Sequence, residues 1–110
     1  MLGIRLYLAQ RISAMIIAPL VLLHLVVMIY AIQGGLSAEE ILGRTQGSVL
    51  WGVNYAVFVI AVAVHGAIGL RVVIYETFGL SKTALDFITL IIATSLLALG
   101  GRAVYAVIWP

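Results

Sequence analysis

The sequence predicts an all-α integral membrane chain, with three transmembrane helices and a short interfacial helix between the first and the second. Composition is the first observation behind this. Of the 110 residues, 65% are hydrophobic and 9% charged, and the mean hydropathy is +1.25. A water-soluble domain this small needs far more surface charge, so the apolar excess must face lipid or other helices. The second observation is that three apolar runs each meet the ~20 residues needed to cross ~30 Å of hydrocarbon. The third is that the segments joining them are short and carry glycines and capping residues. The whole chain, 1–110, reads as one membrane domain.

The first helix is predicted over about 11–33. No charge falls between Arg11 and Glu39, and Gln33, Gly34 and Gly35 end the run as glycines do past a helix C-terminus. Pro19 removes a backbone donor near its middle and predicts a kink there. The run is too long for the core of a signal peptide, and no small-residue cleavage site follows it. Ser37-Ala38-Glu39-Glu40 has the capping-box spacing, in which Ser and Glu meet each other's free backbone donors, and predicts a short interfacial helix over Ala38–Gly43. The second transmembrane helix, about 48–76, is uncharged from Thr45 to Leu70 and closes at Gly79. Thr83-Ala84-Leu85-Asp86 repeats the capping pattern at the start of the third, about 83–108, which Arg102 interrupts. All non-helical backbone then lies outside the hydrocarbon, where water can satisfy it.

The six basic residues are scattered, so a sequence pI near 9.3 reflects membrane-edge charges and not a nucleic-acid surface. Arg5, Arg11, Arg71 and Lys82 fall on the N-terminal side and Arg44 and Arg102 on the other, which places the N-terminus in the cytoplasm of a cell inner membrane. Tyr7 and Tyr75 mark the inner edge; Tyr30, Trp51, Tyr55 and Trp109 mark the outer one. Cysteine is absent, which excludes disulfides and thiolate metal sites.

Polar side chains within lipid are costly and direct attention to function. Here they are Ser13, His24, Asn54, His65 and Arg102, with no carboxylate at mid-membrane, since Glu76 and Asp86 fall at the inner edge. His65 sits in Ala61-x-x-x-His65-x-x-x-Gly69, and residues four apart stack on one helical face. The small neighbours leave a flat recess around the imidazole, as a haem plane requires. Two other readings stand beside this: packing through small residues with His65 hydrogen-bonded to a neighbouring helix, and a proton relay. Counting 1.5 Å per residue, His24 lies ~20 Å above Arg11 and His65 ~9 Å above Arg71, so the two differ in depth by ~10 Å. Axial ligands of one iron must come within about 4 Å of each other, given imidazole–metal bonds of about 2 Å. His24 and His65 are therefore not expected to share an iron. Either each serves its own haem, completed by a histidine of another chain, or His24 is a buried hydrogen-bonding residue.

Arg11-Ile12-Ser13-Ala14, together with His65-Gly66-Ala67-Ile68-Gly69-Leu70-Arg71 followed by Glu76, resembles the cytochrome b membrane-anchor subunits (C/D type) of succinate dehydrogenase and fumarate reductase, complex II. The three-helix layout extends the resemblance over nearly the whole chain. It implies a haem b held through His65, with Gly69 in the same element and Arg11 at a haem propionate. By the placement of ligands in di-haem members, it implies a second haem through His24, with Arg102 at the level of that haem's propionates or snorkelling to the interface. It further implies a flavoprotein, an iron–sulfur protein and a second membrane anchor as partners, and quinone as substrate. Ser13, Arg71 and Glu76 would line the quinone or the subunit edge. The chain departs from the family where Gln10 and Val72 hold positions often occupied by histidine, and where Thr77 stands at a position sometimes taken by a quinone-binding tyrosine.

On this reading the chain itself catalyses nothing. It passes electrons between the iron–sulfur protein and membrane quinone. The rival classes are a haem-free anchor and a small oligomeric transporter; the latter typically has four helices and an acidic residue in its first segment, and this chain has neither.

Overall fold

The computed structural model describes residues 3–109. They form α1 (Ile4–Gly34), α2 (Ala38–Thr45), α3 (Val49–Phe78) and α4 (Lys82–Ile108), with no strand among the described residues. α1, α3 and α4 are each long and apolar enough to cross a membrane. At 1.5 Å per residue they run about 40–46 Å, which exceeds ~30 Å of hydrocarbon, so their ends reach the headgroup layers or the helices tilt.

The helix ends follow local chemistry. Ser37 accepts from the Glu40 amide at 3.2 Å, as the capping pattern predicted, but α2 runs on to Thr45. Ser48 caps α3 by accepting from the Trp51 amide. At α4 the expected cap is corrected: Ser81, not Thr83, accepts the Ala84 amide, and Thr83 lies inside the helix. Gly79 closes α3 in the left-handed conformation (φ 62°), which glycine adopts at little cost. α1 begins at Ile4 instead of near Arg11, because a basic residue at a membrane edge marks where hydrocarbon stops and not where helical backbone must.

α3 is the centre of the bundle. It packs against both α1 and α4, whereas those two barely meet each other. Its buried positions are mostly small, Gly52, Ala61, Ala63 and Ala67 among them, and small side chains let helix backbones approach closely in lipid. Gly100 of α4 comes close to Val59 of α3, where a Cβ on the glycine would stand 2.5 Å from Val59 Cγ1.

The α1–α3 connection folds back over the end of the bundle. Thr45 Oγ1 donates to the Val107 carbonyl at 2.8 Å, and the Gly47 amide donates to the Ile108 carbonyl at 2.9 Å. Both are among the last carbonyls of α4, which have no partner in their own helix. Arg44 donates to the Gly35 carbonyl at 3.1 Å and lies over the Tyr30 ring, 5.6 Å from its centroid.

Candidate functional site

His65 projects from α3 toward the first turns of α1. Its Nδ1 stands 3.3 Å from the Gln10 carbonyl oxygen and 3.4 Å from Ser13 Oγ. The Ser13 hydroxyl gives its own hydrogen to that same carbonyl at 2.9 Å. A carbonyl has no proton to give, and the serine proton is already committed. With the Ser13 hydroxyl donating to that carbonyl, both oxygens stand as acceptors toward Nδ1, an arrangement that favours the ring hydrogen on Nδ1 and the lone pair on Nε2. Nε2 has no hydrogen-bond partner among the described residues and is not enclosed. A carbonyl on Nδ1–H with a free Nε2 is the arrangement that fixes tautomer and ring direction in metal-ligating histidines.

The small-residue face around His65 has a second occupant. Ala61 is buried, and a Cβ on Gly69 would meet Gln10 Nε2 at 3.6 Å, so the recess expected around the imidazole is partly filled by α1. Gly66 faces Leu96 of α4 instead. The ring edge that carries Nε2 is what remains open. Arg11, two residues before Ser13, is exposed and makes no ion pair among the described residues.

Arg71 is placed elsewhere. Its guanidinium is buried between α3 and α4, 2.8 Å from Asp86 Oδ1 and 3.2 Å from Thr89 Oγ1, which in turn donates to the Leu85 carbonyl. Of the edge cluster expected from sequence, only Ser13 stands beside His65. Arg71 pins two helices, and Glu76 is exposed. Gln10, Thr89 and Asp86 as Arg71's partner escaped sequence reading. The available sign for Gln10 was Ser13 three residues on, since an intrahelical serine commonly donates back to a carbonyl one turn earlier.

His24 faces the other end of the bundle. Its ring lies 5.5 Å from that of Phe58 and 6.3 Å from that of Tyr55. Tyr55, expected at the outer membrane edge, is thus half-buried against His24. On α3 the level of His24 is set by Tyr55 and Phe58 and precedes His65 by about 10–15 Å at the helical rise. That separation rules out a shared iron. His24 lines a cavity of about 540 Å³ with residues from all four helices, Met28, Thr45, Tyr55 and Gly100 among them. Arg102 is exposed and is not part of its wall.

No curated protein and no solved structure matches the chain. Residues 2–105 match a family described as succinate dehydrogenase/fumarate reductase transmembrane subunit. With three membrane-crossing helices and that match over nearly its full length, the chain belongs to the succinate dehydrogenase/fumarate reductase transmembrane subunit family and is a multi-pass membrane anchor of such a complex.

Proposed function

We propose that this chain binds a haem b through His65 Nε2 and passes electrons between an iron–sulfur subunit and membrane quinone. The observation that carries the reading is the pair of oxygens facing Nδ1: the Gln10 carbonyl and Ser13 Oγ favour the proton there and a lone pair on Nε2. The donor set fits the group, because a neutral imidazole backed by an acceptor is a common haem ligand. Haem supplies one-electron chemistry when bound. The chain's own residues hold the imidazole in one orientation, and Arg11, free of any ion pair, offers a cation to a propionate. With only two histidines in the sequence and the pair too far apart, the second axial ligand comes from the partner anchor. The basic residues Arg5, Arg11, Arg71 and Lys82 at one end of the bundle support a reading in which that end, and with it the N-terminus, faces the cytoplasm and the soluble subunits of the complex.

A reduced-minus-oxidised spectrum of the purified complex tests the proposal. The expected result is a b-type signal that His65→Ala abolishes and a change at exposed Glu76 leaves intact. A His65→Ala complex that keeps the full signal would return His65 to a helix-packing role.

The second haem implied at His24 fits the residues poorly. His24 Nδ1 is buried with no hydrogen-bond partner among the described residues. Iron ligation through Nε2 would force the proton onto that nitrogen, leaving an unmet buried donor at about 1–3 kcal/mol. The cavity wall also lacks any Arg or Lys for propionates. One haem per complex is the reading adopted.

A further inference from the structure

We infer that the cavity at the N-terminal end of the bundle is a binding site for the phosphate headgroup of an anionic phospholipid, held between Arg5 and Lys82. The cavity lies where α1 begins, α3 ends and α4 begins, and measures about 510 Å³. Arg5, Arg71, Lys82 and Asp86 supply the charge of its wall. Three cations share one carboxylate there, which leaves the wall two charges positive. Asp86 is already taken, since it holds Arg71 at 2.8 Å and reaches Lys82 only at 3.5 Å. Arg5 makes no ion pair among the described residues, and the Lys82 side chain is 85% exposed. Two cations that the chain does not neutralise thus line one cavity from different helices, α1 and α4. Those helices barely meet otherwise, so an anion lodged there would bridge them.

The rim indicates what else the occupant carries. Ile4 is 70% and Tyr75 41% exposed, so apolar surface stands open beside the cations. A free anion or an acidic side chain would meet the charge and leave that surface uncovered. A phospholipid joins a phosphate to an acyl chain and meets both. Both helices are longer than the hydrocarbon is thick, and basic and tyrosine side chains at their ends mark the headgroup level. Basic pockets between transmembrane helices at that level are suited to anionic lipid headgroups.

The inference rests on the three membrane spans and not on the haem at His65, whose neighbours Gln10 and Ser13 are not part of this wall. The test uses the purified complex in phosphatidylcholine nanodiscs that contain a phosphatidylglycerol with a photoreactive diazirine close to its headgroup. Adducts are mapped by mass spectrometry, with haem content measured in parallel. They are expected on the stretches 3–6, 71–75 and 82–86, and unlabelled phosphatidylglycerol should displace them. The double variant Arg5→Gln, Lys82→Gln should lower them about thirtyfold, as expected for two cations lost at a lipid surface. Both side chains are exposed, so haem content should stay constant. Arg5→Lys with Lys82→Arg keeps the charges and should retain the labelling. Equal labelling by a phosphatidylcholine probe would overturn the inference, as would full labelling of the double variant. Displacement by inorganic phosphate as readily as by phosphatidylglycerol would make this a free-anion site and overturn it too. So would labelling that appears only once the soluble subunits are stripped away, which would give the cavity to an acidic segment of one of them. Loss of haem in His65→Ala concerns the other site and leaves this result standing.

Discussion

Ser13 of α1 and His65 of α3 meet 3.4 Å apart, with the Gln10 carbonyl between them accepting from both. One main-chain oxygen thus joins two transmembrane helices at the imidazole. Ser13 is only 5% exposed, so the contact is part of the packing as well as of the site.

Ser13→Ala removes one of the two oxygens facing Nδ1 but leaves the Gln10 carbonyl. The b-type spectrum should persist, and stability in detergent should fall by about 1 kcal/mol, the usual net worth of a hydrogen bond. Ser13→Leu forces a larger side chain into the same buried position. It should push α1 from α3 and abolish the spectrum as His65→Ala does. Thermal melts followed at the haem band check both.

The Arg71–Asp86 pair predicts an asymmetry. Arg71 is buried and its side chain is 8% exposed, whereas that of Asp86 is 52% exposed and also has Lys82 at 3.5 Å. Asp86→Leu strands a buried guanidinium with only Thr89 to meet it; Arg71→Leu leaves a carboxylate that lysine and water can satisfy. Asp86→Leu should therefore lower the melting temperature more than Arg71→Leu does. The double variant should melt higher than Asp86→Leu alone, because removing both charges ends the mismatch.

Two adjacent glycines should respond oppositely. Gly100→Ala places a methyl against Val59, a short branched side chain unable to swing away, and should destabilise the α3–α4 pair by about 1–3 kcal/mol. Gly101 has open space where its Cβ would stand, so Gly101→Ala should be neutral or stabilising by up to about 1 kcal/mol through helix propensity. Unfolding of the two variants side by side in mixed micelles gives the comparison.

Thr45 anchors α2 over the His24 cavity by donating to Val107 and Ile41 carbonyls. Thr45→Val keeps the shape and loses both bonds. Amide exchange across 38–47 should accelerate by about tenfold, as expected for about 1–1.5 kcal/mol of lost latch, while α3 amides near His65 stay protected. Uniform acceleration across all helices would show that α2 is instead part of the global fold.

The three spans, the short helix between them, the Ser37 cap and the Gly79 stop were all legible in the sequence. Hydrophobic length and capping chemistry act over a few residues and leave their mark there. So was the distance between His65 and His24, which follows from helical rise alone. Tertiary structure decided everything that depends on which face meets which helix. The small-residue face at Ala61, His65 and Gly69 was read as an open recess, and α1 partly fills it. Arg71, expected at a quinone or subunit edge, turns inward to Asp86 and Thr89. Tyr55 stands against His24 in a cavity that has no trace in the local pattern. The physical reason lies in the solvent: lipid is as apolar as most of these side chains. The hydrophobic pattern that betrays the inner face of a soluble helix is therefore absent here, and close packing among neighbouring helices chooses the contacts.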